Sequence, residues 1–445
     1  MNCIDHFRQE VKSHLLNSSL CDLRGEIPST QIELWRQEEA PHSRQRLWTI
    51  ELMLWFWILA GLHRERSFRG VALDLWAPLC AQLPDVAGLR LNDGRMSEGR
   101  SRVPLKMIQA IREEFARRGI DEGQGLGLWR GRRVLWADGT TLSLQDNPEL
   151  WQHFGGCSNQ YGSAPFPLVR LVMLGIASTR IVIGSAWGPI VQSEKQLILR
   201  ALDTLRIGDI VVMDRYFASI ELFAEVQRRG ADALTKRRPQ LKLEKHPRRK
   251  IGPNDWVLEM PLDPDAHQRD GSLPRHIRIR VLKVRLGNGH EMWLQTTLLD
   301  AQRYPSHELA EVYLQRWGAE TSYAEVKADL HLQVVRSCTV EGVGKEIEAH
   351  LAAYNYVRLL MLRAARRKGI DPRRLSFRNA LRLIVRFGQM NRFDPVPSTW
   401  DTLLEQISVQ INPLRPGRRE PRAVKRRLHA YQRWKGSRSK WRAAL

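Results

Sequence analysis

Tyr313, Arg316, Glu320 and Lys327 share one stretch, Tyr313-Leu-Gln-Arg316-Trp-Gly-Ala-Glu320-Thr-Ser-Tyr-Ala-Glu-Val-Lys327, broken by no Pro and by Gly318 alone. Ser306, in Ser306-His-Glu-Leu, reads as the cap that opens a helix through it. At about 100° per residue the four side chains fall within an arc of roughly 60°. One helix face then carries a carboxylate among two cations and a phenol, over about 21 Å of axis. Such a face suits a row of phosphates with one metal-binding carboxylate in its middle. A solvated amphipathic helix with spaced ion pairs would present the same residues.

Two further carboxylates stand where strands should end. Asp138 follows Val134-Leu-Trp-Ala137 and precedes Gly-Thr-Thr; Asp214 follows Ile210-Val-Val-Met213 and precedes Arg215. In an open α/β sheet the carboxyl ends of the strands form the functional edge, so central neighbours would bring both acids together. Glu320 would join them from a helix packed across that edge. Three hard oxygen donors without His or Cys suit Mg²⁺ or Mn²⁺ rather than Zn²⁺. Two such ions, about 3.5–4 Å apart, activate a water or hydroxyl and stabilise the leaving oxygen of a phosphodiester. Asp138 would bridge both ions, with Asp214 and Glu320 each completing one site. Taken singly, each Asp also fits a turn or cap.

The surrounding texture divides the 445 residues into segments. Residues 1–125 have helical periodicity, notably over 47–79 and 104–118, and a Gly-rich break spans 119–131. From 126 to 237 the pattern is β-β-β-α-β-α-β: strands near 134–137, a hairpin of 168–176 with 180–187, a helix over 193–205, a strand at 210–213, a helix over 219–229 and a strand near 231–235. Residues 238–300 alternate in polarity, as in Ile277-Arg-Ile-Arg-Val-Leu-Lys-Val-Arg285, and read as a strand-rich insert. The motif helix occupies 301–340, and 341–414 return to helix over 347–366 and 376–387. The tail, 415–445, holds twelve Lys or Arg against the single acid Glu420, with Trp434 and Trp441 interleaved.

Seventy basic against forty-eight acidic residues leave a formal charge of +22, which favours a polyanionic partner, most simply nucleic acid. The richest apolar run, 47–62, contains Glu51 and is too short to span a bilayer. The first ten residues lack the apolar core of a signal peptide. Five scattered cysteines show neither a disulfide framework nor zinc spacing. A reduced, cytoplasmic protein is expected, with no membrane partner.

Tyr-x2-Arg-x3-Glu-x6-Lys is the signature of DDE transposases of the insertion-sequence IS-four type, and the chain resembles that family over about 30–430. Tyr313, Arg316, Glu320 and Lys327 fill the signature without gaps, Asp138-Gly-Thr-Thr resembles the family's first-Asp strand, and Gly208-Asp-Ile-Val-Val-Met-Asp214-Arg215 its second. Tyr354-Asn-Tyr-Val-Arg358 and Arg415-Pro-Gly-Arg-Arg-Glu-Pro-Arg are similar too. One departure is visible: the family usually has a small residue where Tyr216 precedes Phe217.

The resemblance implies an α/β fold: an RNase H-like mixed sheet over 126–237 and 301–340, interrupted by the β-rich insert 238–300, with helical N- and C-terminal regions. It implies an enzyme performing cut-and-paste DNA transposition, with hydrolytic nicking, hairpin formation and strand transfer at one site of Asp138, Asp214 and Glu320. Two Mg²⁺ (or Mn²⁺) ions per site are implied, as is a homodimer holding double-stranded DNA, both transposon terminal inverted repeats and target. A bacterial, nucleoid-associated location goes with this. Tyr313, Arg316 and Lys327 would hold phosphates, Arg316 bidentately and Lys327 as a point charge. Trp293, near the end of the insert, would receive a flipped base, or else belong to the insert's core. Arg215 would touch phosphate or pair with an acid. The basic run 236–250 would track the DNA backbone, and the tail would be a nucleic-acid arm. End recognition would fall to residues 1–125, where Arg100, Arg102 and Lys106 would clamp DNA or form a charged surface. Two rivals remain: a non-catalytic DNA-binding protein, domesticated or inhibitory, and a structure-specific nuclease on the same core.

Overall fold

Alternation along a ten-residue strand decides how the central layer packs. In β1 (Val134–Ser143), Val134 and Trp136 enter one apolar cluster while Leu135 and Ala137 enter the other, on the opposite face of the sheet. The computed structural model describes residues 9–11, 13, 25–43, 47–63, 67–82, 91–159, 162–286, 289–390 and 399–413. Met1–Ile411 form one compact unit, and Asn412–Leu445, of which 412 and 413 are described, a second. The tail from Arg415 lies outside the described residues.

Helices α1 (Ser29–Glu39), α2 (Ile50–Leu62), α3 (Phe68–Gln82), α4 (Asp93–Ser101) and α5 (Leu105–Glu122) precede β1. After it come α6 (Pro148–Phe154), β2 (Leu168–Ile176), β3 (Val182–Pro189), α7 (Glu194–Ala201), β4 (Ile210–Met213), α8 (Ile220–Arg228) and β5 (Asp232–Lys236). The insert adds β6 (Arg248–Gly252), β7 (Asp255–Pro261), α9 (Pro264–Arg269), β8 (His276–Arg285) and β9 (Glu291–Thr296). The remainder is α10 (Ser306–Leu314), α11 (Trp317–Ala324), α12 (Val340–Lys368), α13 (Phe377–Met390) and α14 (Thr399–Ser408).

The sheet order is β3-β2-β1-β4-β5-β9-β8-β7-β6. β1, β4 and β5 run parallel, and β2 and β3 return antiparallel beside β1. Order 3-2-1-4-5 with that pattern is the RNase H-like arrangement. The insert continues the same sheet, because β9 pairs antiparallel with β5, Leu294 opposite Lys236.

Two expectations change. Asp138 does not end its strand: β1 runs on through Gly139-Thr140-Thr141, which pair with Val172, Leu171 and Arg170 of β2. Only the parallel pairing with β4 stops at Ala137 opposite Met213. The Gly-rich break also begins later, because Gly119 lies inside α5. A Cβ there would sit 2.7 Å from Ile181 Cδ1, so glycine lets the helix lie against the β2–β3 turn.

α12 is the long brace of the molecule. Thr339 caps it by accepting the Gly342 N–H at 3.1 Å, and Gly369 closes it in the left-handed region at φ 63°. It packs on α5 and α2, and its middle is buried on all sides. No helix among the described residues is long and apolar enough to cross a membrane.

Candidate active site

Strand register places the two aspartates side by side. Ala137 is the parallel partner of Met213, and Met213 of Thr235, so the next residues in the row are Asp138, Asp214 and Lys236. Each Asp commits one oxygen to its own turn: Gly139 N–H donates to Asp138 Oδ1 at 2.8 Å, and Tyr216 N–H to Asp214 Oδ1 at 2.7 Å. The turn role and a ligand role are therefore compatible, since the second oxygen of each lies outside its turn.

The single helix expected from Ser306 to Lys327 is three pieces. Pro305 precedes the first turn, Ser306 is already helical, and no side-chain cap is made. At Gln315–Ala319 the backbone tightens to i→i+3 bonds, as in Arg316 N–H to Tyr313 O at 3.1 Å, so α10 ends and α11 begins. Beyond α11 the chain widens into a π turn, Glu325–Asp329. There Glu325 is held inward by buried Arg358, by Tyr354 at 3.2 Å and by Arg180 at 3.4 Å. Straight-helix geometry therefore does not describe the motif; side-chain contacts do.

Those contacts converge on the carboxylate edge. The Arg316 guanidinium donates to Glu320 Oε1 at 2.9 Å and lies 3.8 Å from Asp138 Oδ2. Lys327 Nζ donates to Thr140 Oγ1 and Thr141 O, both at 3.0 Å, two and three residues along β1 from Asp138. Tyr313 is buried, with Lys236 Nζ 5.7 Å from its ring centroid. Burial pushes the Tyr313 phenol up, with Arg316 and exposed Arg215 acting against it.

Burial pushes the Asp138 carboxyl above the usual range; the charges of Asp214 and Glu320 add to this, while Gly139 N–H and Arg316 oppose it. Among the described residues, no group of three or more His, Cys, Asp or Glu side chains stands close enough together to hold a metal ion. Donor chemistry nonetheless fits a hard divalent cation: all oxygens, mutually repelling, with a guanidinium lying between Asp138 and Glu320.

Two residues escaped the sequence reading. Tyr323 is buried and inserts its phenol into the β1–β2 ladder, accepting from Met173 N–H at 3.1 Å and donating to the Asp138 carbonyl. Glu194 opens α7, where Ser193 and Gln196 form a capping box. Its carboxyl lies against Gly139, where a Cβ would fall 2.3 Å from Glu194 Cδ. Burial first, then Asp138 and Asp214, push its pKa up. The Ser-x-x-Gln box was a legible helix start, but its position over Gly139 was not.

The remaining candidates lie further out. Trp293 of β9 stacks on Trp256 at 5.9 Å and 19°, with the Arg237 guanidinium 4.5 Å from its centroid. It is partly buried against the core, so the two readings of this residue overlap. Arg100 lies 3.8 Å over Phe68, Arg102 donates to Trp48 O at 3.1 Å, and Lys106 pairs with Glu39 at 3.1 Å. These three are engaged among the N-terminal helices.

Comparison with known proteins adds four findings. A family profile described as Transposase DDE domain matches residues 129–356. The chain is 25% identical over 400 residues to transposase InsG for insertion sequence element IS4 of Escherichia coli (strain K12), covering 87% of this chain and 88% of that one. It is 27% identical over 105 residues, 23% of this chain and 35% of the other, to the putative transposase InsZ of the same organism. Among solved structures, a piggyBac transposase synaptic complex with hairpin DNA aligns with TM-score 0.42 and 13% identity, over 95% of this chain and 89% of that one.

Proposed function

The chain belongs to the DDE transposase family, of the IS4 type, and we propose that it catalyses cut-and-paste transposition of an insertion sequence. One observation carries this reading beyond family membership: the register that sets Asp138 beside Asp214, with Glu320 tied to the same edge through Arg316.

Asp138, Asp214 and Glu320 would hold Mg²⁺ or Mn²⁺, two ions per site. Bound there, the ions supply activation of the attacking oxygen and stabilisation of the leaving one. The protein's own residues do the rest. Arg316, already balanced between two acids, turns to a phosphate when they are otherwise neutralised, and its fork suits two phosphoryl oxygens. Lys327, held on β1 by Thr140 and Thr141, places a point charge beside the scissile phosphate. Arg215 and Tyr313 stand behind it, and Trp293 offers a face to a displaced base.

The chemistry is four phosphoryl transfers in sequence. Water attacks the phosphodiester at the transposon end and expels a 3′-hydroxyl. That hydroxyl attacks the opposite strand and closes a hairpin, which water reopens. The regenerated 3′-hydroxyl then attacks target DNA. A homodimer holding both terminal inverted repeats, with residues 1–125 for end recognition and the basic tail as an arm, completes the reading.

A linear duplex carrying the element's end, incubated with the protein and Mg²⁺, tests it. Wild type should yield a nick bearing a 3′-hydroxyl, then a hairpin on a denaturing gel. Glu320→Ala should yield neither while binding the duplex as before. Tight binding without cutting by wild type, in Mg²⁺ and in Mn²⁺, would leave a non-catalytic DNA-binding protein.

A further inference from the structure

Tyr216 lies two positions beyond Asp214 and is 47% exposed. Its backbone is held on both sides: its N–H caps onto Asp214 Oδ1 at 2.7 Å, and its carbonyl accepts from Arg238 Nη2 at 3.0 Å. Buried Phe217 follows, its ring edge-on to Tyr216 at 5.7 Å and 86°. The backbone of Tyr216 is thus held, and its half-exposed ring packs edge-on against Phe217.

Two cations flank it. Lys195 Nζ lies 5.1 Å from the ring centroid, and Arg238 reaches the same residue from beyond the end of β5. Among the described residues no ion pair joins either cation to an acid, although Glu221 lies near enough to Lys195 to favour its charge. The two repel each other: burial first, then the Arg238 charge, lowers the basicity of Lys195. Each cation is also close in sequence to a residue at the carboxylate edge. Lys195 follows Glu194, whose carboxyl packs on Gly139, and Arg238 is two residues beyond Lys236, which stands beside Asp214 in register.

We infer that Tyr216, Lys195 and Arg238 form a subsite for one unpaired nucleotide of the DNA strand adjacent to the scissile phosphate. A half-exposed ring with a lysine over it and a guanidinium at its own carbonyl calls for a ligand with a flat face and a negative charge, which a nucleotide supplies. The base must be unpaired or terminal. Within a duplex both faces of a base are covered by its neighbours, so no side chain can stack on it. This subsite rests on the proposed action on DNA and adds where the strand is opened: at the β4 side of the edge, beside Asp214.

Binding by fluorescence anisotropy, without divalent metal, separates the possibilities. One probe is a fully paired duplex carrying the element's end; the other has the same sequence with two nucleotides unpaired at the cleavage position. Tyr216→Ala should weaken the second probe roughly tenfold, the loss that removal of one stacked base produces, and leave the first unchanged. Tyr216→Trp should retain tight binding of the second probe. Lys195→Ala and Arg238→Ala should each make the salt dependence of that binding shallower. Equal loss on both probes, no loss on either, or failure of Tyr216→Trp to retain binding would overturn the subsite. Wild type that binds neither probe would instead overturn the DNA reading beneath it. Thermal melting of each variant, expected to match wild type because the changed side chains lie toward the surface, separates lost contact from lost fold.

Discussion

The side chain that ties the site together most closely is Tyr323, three residues after Glu320. Its hydroxyl satisfies Met173 N–H and the Asp138 carbonyl at once, inside a ladder that would otherwise bond these strands directly. Tyr323→Phe keeps the ring and removes both bonds, leaving two buried backbone groups unsatisfied. A destabilisation of about 1–3 kcal/mol should appear in urea unfolding. Cleavage should slow by about tenfold with end binding unchanged, because displacement of Asp138 acts on the transition state rather than on DNA affinity. If cleavage per folded molecule is unchanged, Tyr323 braces the sheet and does not position Asp138.

Among elements, α12 carries the clearest pH signature. His350 is fully buried with Nδ1 2.7 Å from the Glu346 carbonyl, and burial pushes its pKa down to about 4, with Glu346 opposing. An unfolded His titrates near about 6.5, so the unfolded chain takes up a proton first as pH falls. Stability from this group is complete above that value and declines as pH drops toward about 4. Glu346, whose net shift is downward despite burial, because of His350, Arg336 and Ser337, loses its contribution in the same direction at lower pH. Melting temperature should therefore fall between about pH 6.5 and 4, and His350→Gln should flatten that decline. An unchanged slope in His350→Gln would assign the acid sensitivity elsewhere. α12 also anchors the motif from behind: Arg358 and Tyr354 hold Glu325, and with it the π turn that delivers Lys327 to β1.

At the scale of the whole molecule, net charge and sheet continuity set how DNA is met. Excess positive charge binds a polyanion by releasing its counterions, so affinity should fall steeply with salt, with a slope of about 0.9 per phosphate neutralised. The tail from Arg415 carries twelve cations and one acid. Deleting 415–445 should weaken binding to all duplexes alike and make the log–log salt slope shallower. A loss confined to the element's own end would show instead that the tail reads sequence. Among the described residues nine strands form one sheet, so the insert extends the layer that carries Asp138. Cation–aromatic couples follow strand order along it, Lys195–Tyr216, then Lys236–Tyr313, then Arg237–Trp293.

What could be read from sequence was whatever is written in short-range spacing. Apolar runs ending in Asp138 and Asp214 marked strands, because alternation and turn residues are local constraints. The Tyr-Arg-Glu-Lys spacing marked the family, because residue types at fixed offsets survive any local distortion of the helix. What tertiary structure decided depends on contacts between distant segments. Tyr323 meets Asp138 across 185 positions, and Glu325 meets Arg358 across 33. Such pairs exist only once the strands have registered and α12 has docked. The three-piece motif helix and the seating of Glu194 against Gly139 are likewise tertiary, for the physical reason that packing and buried ion pairs outweigh the small cost of leaving ideal helix geometry.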